Sequence, residues 1–310
     1  MLQVRARMLH SAREFFAARD VLEVDTPIVG DGLVVEAHID PIPCQVRIGT
    51  GAAVARHLLT SPEGPMKRLL AAGSGPIYQF AHAFRDGEVG RRHATEFTML
   101  EWYRPGFDHH QLMAEVEALV QSLVPRVAEM TFTRRTYREV FVAGVGIDPF
   151  ATTLAELRAA CERLAVPMPP DFDHGTIDDA LDLLLVSHIE PTLGSPVPTF
   201  VHEYPASQAA LAQVEEADGH DVAQRFELYI DGVELANGYH ELADATEQRR
   251  RFEQANRDRL ASGRTELPID EPLIAALQQG FPACAGVALG FDRLLMIAVA
   301  AQHIDDVRCS

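Results

Sequence analysis

Residues 84–104 read FRDGEVGRRHATEFTMLEWYR. The stretch opens on a polar, Gly-containing run that gathers Arg85, Arg91, Arg92 and His93, with Arg104 at its far end. It then turns apolar around one carboxylate, Glu101. With PIYQFAHAF just before it, the pattern predicts a long β-loop-β hairpin: a strand at 76–84, a loop at 86–95 and a strand at 95–103. Alternate residues of a strand share a face. Phe97, Met99, Glu101 and Tyr103 therefore lie on one side, and Thr98, Leu100 and Trp102 on the other. The second set reads as core. The first set has two aromatics, a soft Met and a carboxylate, which suits a ligand wall. Its bland counterpart is a strand edge with one solvated Glu.

The rest of the chain extends this pattern. Leu2, Met8, Leu9, Ala12, Phe15 and Phe16 have helical spacing over 2–19. VLEVDTP (21–27) alternates as a strand and stops at Pro27. HLLTSPEG (57–64) reads as a strand running into a turn, followed by a helix through MKRLLAA. Asp108 and Gln111 form a capping-box pattern ahead of a Leu112, Val116, Leu119, Leu123 stripe. Residues 148–200 are Pro-rich at both ends, with helical pieces near 153–165 and 176–190, and read as an insertion within one domain spanning 1–310. FELYI-DG-VELAN (226–237) is the clearest hairpin, with Asp-Gly favouring a type I′ turn. A polar helix over 243–263 ends at Gly263, and CAGVALGFDRLLMIAVA (284–300) is a small-residue strand entering an apolar helix. Strands in hairpins with helices between them predict an α+β fold with a mainly antiparallel sheet.

Composition narrows the function. The chain has 310 residues, 47% hydrophobic, enough to bury a sizeable core. There is no apolar run of membrane-spanning length and no signal peptide, so a cytoplasmic protein is the expectation. Cys44, Cys161, Cys284 and Cys309 are scattered without a CxxC pair, and thirteen His include no HExxH, which argues against structural zinc or a disulfide framework. A net charge of −18 weighs against extensive tRNA or DNA binding and favours small cationic substrates or a basic protein partner.

Two further segments carry chemistry. In a two-residue Asp-Gly hairpin Ile230 pairs with Val233, Tyr229 with Glu234 and Glu227 with Ala236. Glu227 and Glu234 then become diagonal neighbours, roughly 7–8 Å apart at the backbone, able to hold one divalent cation between their tips. Two Glu on a solvent face is the alternative. Asn237 follows on the opposite face unless a bulge, for which Gly238 is the candidate, re-aims the chain. In GVALGFDR (286–293), Arg293 falls in the first turn of a helix, where a cation is disfavoured unless an anion sits between, so it points to a phosphate; a surface Arg is the alternative. Neither a P-loop nor a GxGxxG after a strand is present.

Taken in order, these segments resemble a class II aminoacyl-tRNA synthetase catalytic core of the lysyl type, with an antiparallel sheet flanked by helices. The helix and strand ending at Pro27 resemble motif 1, Arg85 through Tyr103 motif 2, and GVALGFDRLLM motif 3. TSPE (60–63) and ELANGYHEL (234–242) resemble lysine-pocket segments. Three features point to a shorter branch of that family, which ligates lysine, in its β-isomer, to a lysine of elongation factor P. No anticodon-binding domain is expected ahead of motif 1; PASQAALA (205–212) resembles that branch; and Ala288 stands where lysyl-tRNA synthetases have Gly.

The resemblance implies roles. Arg85 and Arg293 are the implied catalytic residues. Arg85, Asp86, Gly87, His93, Phe97, Glu234, Leu235, Gly290 and Arg293 are the implied ATP contacts, with Phe97 stacking on adenine. Glu227 and Glu234 are implied to bind Mg²⁺. Ser61, Glu63, Glu101, Tyr103, Asn237, Glu241 and Ala288 are implied to surround the amino acid; three carboxylates suit two ammonium groups. The family's motif 2 reads Arg-x-Glu, whereas here Arg85-Asp86-Gly87-Glu88 displaces the Glu by one. Its Asn-Pro before Glu-Phe is here Ala94-Thr95. The expected reaction forms an aminoacyl-adenylate with release of pyrophosphate, then an amide on the acceptor lysine, in a homodimer built through motif 1. A minimal lysyl-tRNA synthetase and a non-catalytic synthetase-like regulator are the alternatives; retention of Arg85, Arg293, Glu227 and Glu234 weighs against the second.

Overall fold

Both hairpin signals fold as hairpins. Ile77–Phe84 pairs antiparallel with Glu96–Pro105, and His220–Ile230 with Val233–His240. Asp231 and Gly232 both have positive φ, 51° and 67°, the type I′ geometry whose twist matches the flanking strands. The computed structural model describes residues 1–169, 172 and 175–308. Cys309 and four positions inside the 148–200 segment lie outside them.

In chain order the elements are α1 (Leu2–Ala17), β1 (Leu22–Glu23), β2 (Val29–Gly30), β3 (Pro43–Arg47), β4 (Ala53–Leu58), α2 (Glu63–Ala71), β5 (Ile77–Phe84), β6 (Glu96–Pro105), α3 (His109–Leu123), β7 (Thr133–Thr136), α4 (Tyr137–Gly144), α5 (Leu154–Arg163), α6 (Ile177–Leu184), β8 (Thr199–Pro205), β9 (Val214–Ala217), β10 (His220–Ile230), β11 (Val233–His240), α7 (Ala245–Ala261), α8 (Glu271–Gln279), β12 (Cys284–Gly290) and α9 (Phe291–Val299). The main sheet runs β1-β5-β6-β12-β11-β10-β8-β7, with β9 beside β10. Its β1–β5 and β7–β8 pairs are parallel and the others antiparallel. β2, β4 and β3 form a second, small sheet. This is the α+β architecture expected.

One face of the main sheet carries the largest core. Leu100 and Trp102 of β6, Leu228 of β10 and Val287 and Leu289 of β12 pack with Phe16 of α1, Leu112, Val116 and Leu119 of α3, and Leu294 of α9. The α3 stripe is therefore buried as expected, behind a formed Asp108/Gln111 capping box. α5 and α6, from the segment read as an insertion, pack with α4 around Tyr137, Phe141, Leu157 and Leu181. Buried Asp292 at the start of α9 locks three elements together. It accepts from Arg5 of α1 at 2.5 Å and from the Thr98 backbone of β6 at 2.7 Å, while Arg5 also donates to the Thr98 hydroxyl.

Two local readings change. The strand expected over 21–27 shrinks to β1, because Pro27 has no N–H for the ladder and restricts Thr26; the Thr26 hydroxyl bonds Gln79 instead, at 2.9 Å. Leu2, counted with the apolar stripe of α1, is exposed, as are Leu22, Ile28 and Val29.

Candidate active site

The site is built on the opposite face of the same strands. Pairing across β5, β6, β12, β11 and β10 aligns Gln79, Glu101, Ala288, Asn237 and Glu227 in one row. The neighbouring row aligns Ile77, Tyr103, Gly286, Tyr239 and Arg225. The expected pairing of Glu227 with Ala236 is wrong: Leu228 takes Ala236 and Glu227 takes Asn237. Tyr229 still faces Glu234, so Leu235 is the extra residue of a β-bulge. The bulge sits at Leu235, not at Gly238, and it turns Asn237 onto the face of Glu227. Asn237 Nδ2 donates to Glu227 Oε1 at 3.3 Å. Gly238 serves packing instead, since a Cβ there would stand 2.4 Å from the Phe226 ring.

At the β6 end the expected amino-acid residues converge. Tyr103 donates to Glu101 Oε1 at 2.6 Å, and the Ser61 hydroxyl to Oε2 at 2.8 Å. Ser61 also accepts from the Glu63 backbone at the start of α2. Glu241 enters at the end of β11, opposite Glu63. Lys67 of α2 joins the two, 2.6 Å from each. Gly286 makes the space, because a Cβ on it would lie 2.3 Å from both Glu241 Oε1 and the Tyr103 ring. Burial and neighbouring Glu63 push the Glu101 carboxyl up to about 8. Burial also raises Glu241, against the pull of Lys67. Half-buried Ala288 lies between Glu101 and Asn237 in the row.

The Arg85 end is cationic. The Arg85 guanidinium lies over the Phe97 ring, 5.1 Å from its centroid, and 3.6 Å from Glu88, with a buried Nε that has no hydrogen-bond partner among the described residues. Glu88 thus reaches Arg85 despite its displacement in the motif. Asp86 and Gly87 form the turn beyond, pinned by the Asp86 N–H to Asp40 O at 2.7 Å, with Gly87 at a φ of 74°. Arg293 donates to the backbone oxygens of Glu234 at 2.9 Å and Arg92 at 3.3 Å, and stands 3.6 Å from the Glu234 carboxylate. Gly290 caps its helix. His93 belongs with these residues but is not one of the cations: desolvation and Arg293 lower its pKa, so it is neutral near pH 7. Arg104 leaves the cluster altogether. It points to the core face, toward Glu115 and over Phe107, because it lies two residues after Trp102 and so shares that face, alternating with Tyr103. Arg92 ties the loop to the hairpin turn by donating to Gly232 O at 2.8 Å. The Leu235 side chain is buried in the main core, so only its backbone is available at the cleft.

The carboxylate pair lies farther along the row. Glu227 is buried; its Oε1 accepts from Arg225 and Asn237, and its Oε2 from Tyr204 and Tyr229. Glu234 is more open, and its pKa is raised by desolvation and by Glu227. A third carboxylate, Glu190, accepts from Tyr229 at 3.2 Å and is pushed up to about 7 by burial, Glu227 and Glu234. Among the described residues no group of three or more His, Cys, Asp or Glu is arranged to hold a metal ion. Glu234, the more open of the two, offers the hard oxygens that Mg²⁺ takes beside substrate phosphates, whereas the acceptor positions of Glu227 are filled by Arg225, Asn237, Tyr204 and Tyr229.

Lys67, Glu190, Arg225 and Tyr204 were missed from sequence, whereas Gly286 was legible as a point of close approach. Lys67 alone had a local signal, as Glu63 and Lys67 are one helical turn apart.

A sequence profile of the tRNA synthetases of class II (D, K and N) matches residues 1–309. The chain is 50% identical over 310 residues to the elongation factor P–(R)-β-lysine ligase of Vibrio cholerae serotype O1, covering 99% of this chain and 93% of that one. It is 49% identical to the protein of that name from Vibrio vulnificus, over 99% and 94%, and 47% identical to that from Proteus mirabilis, over 98% and 92%.

Proposed function

Because this chain belongs to the class II tRNA synthetases of the D, K and N group, we propose that it is an ATP-dependent ligase that activates a lysine, in its (R)-β-isomer, and transfers it to a lysine side chain of elongation factor P. The relatives' shared name supports the acceptor and the isomer. The observation that carries the substrate class is the pocket of three carboxylates, Glu63, Glu101 and Glu241, beside the Arg85 cleft. An acidic side chain in the substrate would need an Arg there.

In this reading Arg85 holds the substrate carboxylate and the α-phosphate, and Arg293 and His93 the β/γ end. Phe97 faces the adenine. Carboxylate oxygen attacks the α-phosphorus in line and pyrophosphate leaves. Positioning and charge stabilisation drive the step, with no general base required. The acceptor's neutral ε-amine then attacks the activated carbonyl; the amide forms, AMP leaves and the amine gives up one proton. Glu234, with Glu227 behind it, would hold Mg²⁺, which would neutralise charge on the phosphates. The exposed apolar side chains Leu2, Leu22, Ile28 and Val29 cluster in the motif 1 segment and support a homodimer there. The segment 148–200 is read as an insertion on the single catalytic unit.

Intact-mass analysis of elongation factor P after incubation with the protein, ATP and each lysine isomer tests the assignment. The expected result is a gain of one lysyl residue with the β-isomer. No gain with either isomer refutes the acceptor, and charging of tRNA with lysine instead would establish a minimal synthetase.

A further inference from the structure

Lys67 sits inside the pocket that recognises ammonium groups, with 1% of its side chain exposed. Its Nζ is 2.6 Å from Glu63 Oε1 and 2.6 Å from Glu241 Oε2. Among the described residues none of these three atoms has a further hydrogen-bond partner. The two carboxylates come from distant parts of the chain, α2 and the end of β11, and the ammonium is what joins them. Burial works against its charge, yet the two carboxylates outweigh that and raise its pKa, so Lys67 stays protonated.

Counting charges shows the consequence. Glu63, Glu101 and Glu241 with Lys67 leave two formal negative charges. A diamino acid whose carboxylate goes to Arg85 presents two ammonium groups. We propose that Lys67 is a specificity-determining positioning residue: it neutralises one carboxylate of the pocket and spaces Glu63 from Glu241, so that the remaining charge matches a diammonium substrate. This inference rests on the lysine-activating reading above.

Without the lysine charge, three carboxylates would crowd a buried volume. One would take up a proton and become a hydrogen-bond donor, which an ammonium group cannot use. The groups facing this cluster are Glu63 on α2, Glu101 and Tyr103 on β6, Ser61 ahead of α2, Glu241 after β11 and Cys284 on β12, with Tyr239 and Glu36 farther out toward Glu63. Of these, Glu101 and Glu241 stand to lose their ionised form first.

The experiment is ATP–pyrophosphate exchange driven by (R)-β-lysine, from pH 6 to 9, in wild type, Lys67→Met and Lys67→Arg, with melting temperatures in parallel. In Lys67→Met the KM for the amino acid is expected to rise about 30-fold or more at pH 7 while kcat changes by less than about threefold, the mark of lost ground-state binding. The acid limb of kcat/KM is expected to move up by about one pH unit, as for a carboxylate deprived of its cation. Lys67→Arg, which keeps the charge, is expected to leave the limb in place. A folded Lys67→Met protein with unchanged KM and limb overturns the proposal, because a merely structural lysine lowers the melting temperature without moving either. Should the Met variant not fold, Lys67→Gln is read by the same two criteria. Wild-type protein that exchanges with neither lysine isomer refutes the underlying activity instead, so the two failures are separate.

Discussion

The two faces of the main sheet use the same strands, one residue apart, and bury their side chains almost equally. On β6, Leu100 and Trp102 are 0% exposed, and Glu101 and Tyr103 are 2% exposed. The physical results are opposite. On the apolar face burial stabilises, since each large side chain removed from water contributes about 1.5–3 kcal/mol. On the polar face burial costs, and the cost is visible in Glu101, pushed up to about 8. Those polar groups are tolerated because they satisfy one another: Tyr103 and Ser61 on Glu101, Lys67 between Glu63 and Glu241, and four donors on Glu227. The comparison teaches that stability and chemistry are separated by side-chain alternation, not by distance along the chain.

Substitutions can break this division or sharpen it. The largest expected effect is on chemistry alone: Arg85→Ala should lower the ATP–pyrophosphate exchange rate on the order of 10³-fold, as loss of a charge-stabilising donor does, with a nearly unchanged melting temperature. Normal exchange in that variant would sink the Arg85 assignment. Next comes its mirror image. Trp102→Ala should cost about 3–5 kcal/mol in denaturant unfolding, while the folded fraction keeps its KM for the amino acid. Gly286→Ala should fall on both sides, because its new Cβ meets Glu241 and Tyr103. A loss of about 1–3 kcal/mol and a raised KM are expected together; a variant with only one of these would show that the pocket can relax.

The pH dependence is subtler. A cationic substrate favours ionised Glu101, so affinity should rise between pH 6 and 8, and binding near pH 7 should release a proton, measurable by calorimetry in buffers of different ionisation enthalpy. Stability runs the other way. A carboxyl whose folded pKa is raised binds more protons folded than unfolded, so its stabilising contribution is complete below the unfolded value and is lost as pH rises toward 8. Glu101→Gln should therefore raise the melting temperature at pH 8 and abolish activation of the amino acid. The smallest effect on exchange belongs to Arg104→Ala, which should leave it unchanged while costing about 3 kcal/mol in stability, since Arg104 faces buried Glu115 on the apolar side.

Much of this was legible in the residues. The period-two pattern of 95–103 sorts Glu101 from Trp102, and Asp231-Gly232 specifies its turn, because both depend on neighbours a few positions away. The charge cluster of 85–104 was only half readable. Arg85 and Arg293 do approach the same cleft, but Arg104 alternates out of it and His93 is neutral beside Arg293. The bulge at Leu235 was misplaced for a related reason. No residue type demands it, and it exists because Glu227 pairs with Asn237 while Tyr229 keeps Glu234.

The local elements, the α+β class and most of the side chains that line the cleft follow from short-range periodicity, capping and turn chemistry. Which of them meet follows from the packing of the whole chain. Lys67 reads as one more residue of an apolar helix until β11 returns to place Glu241 against it, and Glu190 is an ordinary loop acid until Tyr229 reaches it. The reason is that electrostatics in a buried site depends on which charges share the same small volume, and that is set by strand order and register among residues far apart in the chain.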